Sequence, residues 1–149
     1  MQSPHLEVVN SSSQIDPSKS QWYKEPRRPI SVIIADLSKT IPDRYLDSRK
    51  QGSTTLVYIP WSNAVKLLDR CTGAHWDYSI TSITTTPERL ILTARITIYA
   101  EEGAFSRDGT GTELLTCSSY GDPSSNAESM ALRRAASKFG LGLYLYSKD

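Results

Sequence analysis

Three cations stand close together near the C-terminal end of the chain: Arg133, Arg134 and Lys138. They lie in the run 125–140, where Ala127, Ala131, Ala135 and Phe139 recur at every fourth position, with Met130 flanking them. That spacing predicts one helix with a small-residue face turned to a core and a cationic side turned away. Arg134 and Lys138 are one turn apart, and like charges so placed cost about 0.2–0.5 kcal/mol in an isolated helix. Arg133 stands about 100° round the axis, on the edge of the same polar side. No acid within a turn offsets them, whereas a phosphate chain would. The chemistry implied is the gripping of an extended anion. A solvated helix face, its cations suiting the negative end of the helix dipole, explains the charges alone equally well. A second cluster, Arg49-Lys50, beside a glycine break and a strand, favours the binding reading.

Other chemistries find less support. Cys71-x-x-x-His75 lacks two further ligands at metal-binding spacing, so no metal site is read. Neither His5 nor His75 has a flanking nucleophile pattern. The glycine-rich stretch 103–111 lacks the Gly-Lys-Ser/Thr ending of a phosphate loop and reads as a hairpin loop. Glu101, Glu102, Asp108 and Glu113 are candidates to gather a divalent ion for phosphodiester cleavage. Solvation of that loop and protection of a strand edge account for them better. Trp22, Trp61, Trp76, Tyr58 and Tyr78 could each stack a base for about 1–3 kcal/mol, but their apolar settings make core packing the default.

The elements that must position the two basic clusters are legible in outline. The chain has 149 residues and a net charge of +1, enough length for one domain with a core and too little charge to imply a polyanionic partner by itself. The charge is unevenly spread. Residues 21–50 carry seven cations against four acids, residues 101–128 one against six, and residues 129–149 four against one. Basic ends around an acidic middle permit a basic groove on a soluble body.

Residues 1–28 are polar and Ser-rich, and are expected to be disordered or extended, with Trp22-Tyr23 docking on the domain. Residues 29–149 are read as the domain proper. Val32, Ile33, Ala35, Leu37 and Ile41 suggest a short helix stopped by Pro42. A further helical turn is expected over 43–49, and a strand over 54–59. Ser62 is the expected N-cap of a helix running to about Cys71, with Val65, Leu67, Leu68 and Cys71 inward and Gly73 ending it. Alternation predicts strands over 76–84 and 89–99, and a third is placed at 112–120. Ser125-x-x-Glu128 reads as a capping box for the last helix. The tail 141–146 is compact and apolar, and is expected to pack on the same core or on a neighbouring subunit. The order helix, strand, helix, three strands, helix is that of an α+β domain with helices on one face of a small antiparallel sheet.

No apolar run approaches membrane-spanning length. The N-terminus shows no secretory pattern, so Cys71 and Cys117 are expected to be free buried thiols. The expected setting is the cytoplasm of a bacterium or a phage's host, or another reducing, DNA-containing compartment.

Leu37-x-x-x-Ile41-x-x-x-Tyr45-x-x-x-Arg49-x-x-Gly52, followed by Leu56-Val57-Tyr58-Ile59, resembles the opening of the Rad52 family of single-strand annealing and recombination mediator proteins. The stretch 61–68, with Gly73-x-x-Trp76 after it, is similar to that family's helix and the start of its sheet. Ala127-Glu128 through Leu132-Arg133-Arg134-Ala135 to Phe139-Gly140 is similar to its basic helix. The likeness covers about 37–146. It implies a ring of identical subunits whose outer groove holds single-stranded DNA by its phosphates, leaving base edges free to pair. It implies annealing of complementary strands in recombination and repair, with no nucleotide hydrolysis, no enzymatic activity and no cofactor. Carried over by position, Arg49 is the first groove arginine, Tyr58 a strand tyrosine near it, and Arg133 and Arg134 the paired helix cations. The family's next helix cation falls on Ser137, with Lys138 one position on and projecting differently. Where a second, duplex-binding site would be sought, around 100–103 and 122–125, this chain is acidic or neutral. The DNA-binding candidates are therefore Arg49, Lys50, Tyr58, Arg133, Arg134 and Lys138. Candidate protein partners are other copies of the chain and a single-strand binding protein or recombinase. Two alternatives stand beside annealing: DNA-end protection without it, and metal-dependent cleavage.

Overall fold

The structure is a computed structural model that describes residues 26–116 and 122–147. The expectations for 1–25, including the docking of Trp22-Tyr23, and for Cys117, lie outside the described residues.

Helix α1 (Ile30–Leu37) opens after Pro29, whose ring fixes a backbone angle compatible with a helix start. Its first amide is capped from far away, Ile30 N–H donating to Glu102 Oε1 at 3.0 Å. A 3-10 turn (Asp43–Tyr45) follows, and then strand β1 (Asp47–Gln51) pairs antiparallel with β2 (Thr54–Tyr58). The helical turn expected over 43–49 is thus confined to 43–45, and from Asp47 the chain is strand. Asp47-Ser48-Arg49-Lys50-Gln51 is exposed throughout and carries no hydrophobic alternation. Its strand conformation comes from the backbone bonds that β2 supplies across a turn at Gly52-Ser53.

Helix α2 (Trp61–Thr72) starts after Pro60, so Pro60 holds the cap position expected of Ser62. Ala64, Leu68 and Thr72 form its buried line, and Gly73 ends it in the left-handed region, as the sequence led one to expect. Strands β3 (Trp76–Thr85), β4 (Arg89–Ala100) and β5 (Gly103–Leu114) make an antiparallel meander in the order β3-β4-β5. Leu92, Ala94, Ile96, Ile98 and Ala100 all turn to one face of β4 and are buried there, the period-two pattern read in the sequence.

The third strand lies earlier than expected. It occupies 103–114 where a loop was read at 101–111, and residues 115–116 form a turn. The rest of the expected strand, 117–120, is outside the described residues. Glycines made this stretch look like a loop, but they serve a helix. A Cβ on Gly111 would stand 1.8 Å from the Ala127 carbonyl oxygen, and one on Gly109 would stand 2.4 Å from that of Ala131. Helix α3 (Pro123–Ser137) thus rests main chain against main chain on β5. Its alanine stripe Ala127, Ala131 and Ala135 is buried, and Phe139 just beyond it is too.

The cap of α3 is Asp122, not the Ser125–Glu128 box. Pro123 takes the first helical position, and Asp122 Oδ1 accepts from the Ser125 amide at 2.8 Å. Glu128 instead accepts from the Tyr78 hydroxyl at 3.0 Å. Hydrogen bonds from Ser124 and Ser125 hold the Asp122 carboxyl below the usual carboxylate range. A group depressed on folding lends stability above its unfolded pKa and loses it as pH falls through the folded one. The first turn of α3 is therefore expected to fray below about pH 4, and in Asp122→Ala at any pH. Faster hydrogen exchange at Ser125 would register both.

The core joins α1, α2, α3 and the inner face of β4 through Ile33, Leu37, Leu68, Ile96, Ile98, Leu132 and Phe139. Over the described residues the fold is α+β, with two small antiparallel sheets and three helices. Leu141 enters the core, while Leu143 and Tyr146 of the closing 3-10 turn (Leu143–Tyr146) remain more than half exposed. No helix among the described residues is long and apolar enough to cross a membrane.

Candidate nucleic-acid interface

Between the β1–β2 hairpin and α3 lies an open hollow. Arg49 and Tyr58 line it from the hairpin, Met130, Arg133 and Arg134 from α3, and Leu145 and Tyr146 from the closing turn. No carboxylate is among its lining residues. Strand alternation places Arg49 and Tyr58 on the same face of the hairpin, since Arg49 pairs with Leu56 and Tyr58 with Asp47.

Tyr58 organises the charge. The Arg49 guanidinium carbon lies 5.6 Å from the centre of its ring and that of Arg133 5.4 Å from it. Two like charges share the negative face region of one ring, an attraction of roughly 0.5–1 kcal/mol for each exposed contact. None of the candidate cations joins an ion pair among the described residues, where the ion pairs are Arg28–Asp36, Lys39–Asp36 and Arg95–Asp108. Burial holds the Arg133 pKa below the ordinary arginine value; the Tyr146 hydroxyl counters this, and the charge of Arg49 adds to it. Arginine remains charged at neutral pH regardless, so the hollow holds a half-desolvated cation with no counter-charge.

The candidates are not all brought together. Arg49, Tyr58, Arg133 and Arg134 converge. Arg133 is half-buried rather than exposed, and Arg134 is tied to β5, donating to the Thr110 carbonyl at 3.1 Å. Lys50 pairs with Thr55 and so projects from the opposite face of the hairpin, away from Arg49. Lys138 is exposed at the C-cap of α3 and does not line the hollow. Ser137, where a further cation was sought, is buried with its hydroxyl donating to the Arg134 carbonyl at 2.7 Å. Tyr146 was missed: the tail read as uniformly apolar, and only its 3-10 turn places this ring beside Arg133.

The four acids considered for metal binding are dispersed. Glu102 caps α1, Asp108 pairs with Arg95, and Glu113 accepts from Asn126. No group of three metal-ligating side chains gathers among the described residues. Cys71 is a free, half-buried thiol whose pKa burial raises.

The ring's role can be tested. Tyr58→Phe keeps the aromatic face and is expected to leave polyanion binding near wild type. Tyr58→Ala removes the seat of both guanidiniums and is expected to weaken binding about tenfold, read by fluorescence anisotropy with a labelled oligonucleotide.

The described residues thus form an α+β domain with a cationic hollow, lined by no acid, between hairpin and helix. Residues 29–149 match the model of the Rad52/22 family of double-strand break repair proteins, and the chain belongs to that family. It is 35% identical over 124 residues to the mitochondrial DNA repair RAD52-like protein 1 of Arabidopsis thaliana, covering 82% of this chain and 70% of the relative. It is 32% identical over 143 residues to the chloroplastic DNA repair RAD52-like protein 2 of the same plant, covering 93% of this chain and 71% of the relative. The expected bacterial or phage-host cytoplasmic setting is overturned by these relatives, which are plant organellar proteins.

Proposed function

We propose that this protein binds single-stranded DNA in the hollow between the β1–β2 hairpin and α3, and anneals complementary strands during recombination and repair without nucleotide hydrolysis. The observation that carries the reading is the pair of guanidiniums, Arg49 and Arg133, held over Tyr58 in a hollow lined by no acid. Phosphates supply the missing counter-charge. The Tyr58 ring is already engaged by cations, so bases gain little by entering and their pairing edges stay outside. Family membership in double-strand break repair supports the same reading.

Assembly into a homo-oligomeric ring belongs to the proposal. The outer edge of β3 is unpaired among the described residues, and Ile80 and Ile83 are exposed on that strand. Further copies would cover such surface. Light scattering is expected to give a mass many times that of one chain, and a monomer would remove the ring.

The functional test is a strand-annealing assay with two complementary labelled oligonucleotides, without nucleotide, with magnesium present and absent. Intact strands pairing faster than the protein-free control are the expected result. Binding without acceleration would favour end protection, and shortened strands would favour cleavage. Log affinity should fall with log salt at a slope of roughly −2 or steeper, since the three hollow arginines alone supply about 0.7 each.

A further inference from the structure

We propose that Arg107 is a further phosphate contact, carrying the single strand out of the hollow, over α3 and onto β5. This rests on the groove reading above and extends it to a surface on the other side of the helix.

Arg107 lies in β5, two residues before Gly109 and four before Gly111, so it shares the strand face on which α3 rests. Its guanidinium carbon is 4.9 Å from the centre of the Phe139 ring. Phe139 is almost wholly buried, which makes it a fixed seat for the cation. The guanidinium has no ion-pair or hydrogen-bond partner among the described residues. The other arginines of this sheet are engaged: Arg95 holds Asp108 at 2.8 Å, and Arg89 donates to Thr112. Asp108, next in the chain, is the neighbouring carboxylate, but alternation turns it to the opposite face, where Arg95 takes it. An oriented arginine with unspent donors suits a phosphate oxygen.

The position also continues a track. Arg134 borders the hollow and reaches over to the Thr110 carbonyl of β5. Thr110 is three residues from Arg107, or about 10 Å along the strand. Lys138 stands at the end of α3, next in the chain to the Phe139 on whose ring the Arg107 guanidinium sits. Arg49, Arg133, Arg134, Lys138 and Arg107 thus form one band from the hairpin to β5. Its occupant is the sugar-phosphate backbone, by complementarity of charge.

The test compares Arg107→Gln, Arg107→Lys and Lys138→Gln with wild type on an oligothymidylate, across a salt series, with thermal melts alongside. Arg107→Gln is expected to weaken binding about fivefold and to flatten the salt slope by about 0.7, while Arg107→Lys restores the slope. A purely structural role on Phe139 would lower the melting temperature and leave the slope unchanged. Lys138→Gln, exposed and unpacked, should flatten the slope by the same amount, and carries the test should Arg107→Gln fold poorly. Wild-type slope in both Gln variants overturns the inference, and the groove reading survives if loss of Arg133 and Arg134 still abolishes binding. If that loss has no effect, the groove itself is misplaced.

Discussion

Arg133→Ala together with Arg134→Ala is expected to abolish single-strand binding, with a loss of at least a hundredfold. Each guanidinium removed deletes a charge-assisted contact of about 1.5–3 kcal/mol, and the two sit on one wall of the same hollow. The effect on the fold should be smaller and unequal. Arg134 is exposed, and its one bond to Thr110 is lost at little cost. Arg133 is half-buried against Tyr58, so its stem and its cation–π contact go with it. A modest drop in melting temperature with a cooperative transition is therefore the expected background. Anisotropy titration and a thermal melt on the same preparation separate the two effects. Normal binding by the double variant would mean that the strand runs elsewhere.

Gly111→Val should be the most destructive single change in the sheet. The first carbon of any side chain there would fall 1.8 Å from the Ala127 carbonyl oxygen and 2.9 Å from the Ala131 amide nitrogen. Both are main-chain atoms in mid-helix, so no rotamer change relieves the clash. Helix and strand must part, and the buried alanine stripe opens with them. A loss of about 3–5 kcal/mol or more is expected, a large share of the roughly 5–15 kcal/mol that stabilises a domain. Insolubility, or a denaturation midpoint far below wild type, would register it. A soluble variant with wild-type stability would mean that α3 does not sit this close to β5.

These two sites show what the sequence could and could not disclose. The inward line of β4, the Gly73 ending of α2 and the fourfold spacing of the α3 alanines were legible because each buries one periodic face. β1 was not. Its five residues are all exposed, and only pairing with β2 makes them a strand. That omission hid the separation of Lys50 from Arg49, which strand alternation dictates. The glycines of β5 misled for a related reason. Their meaning lies in a helix more than a dozen residues away, and local propensity cannot register a contact at that distance. The cap moved from Ser125 to Asp122 because Pro123 suits the first helical position. The pairing of Arg49 with Arg133 was suggested by charge and by resemblance. The shared Tyr58 ring that brings them together is a tertiary fact.

The glycine contact between β5 and α3 has a mechanical corollary. With no side chains interposed, that joint has no compliant layer, and one jaw of the cleft is bolted to the sheet. The other jaw is a two-stranded ribbon whose residues are all exposed except the half-buried Tyr58. Any change in the spacing between hairpin and helix is therefore expected to come from that ribbon swinging, while the anvil it closes on stays still.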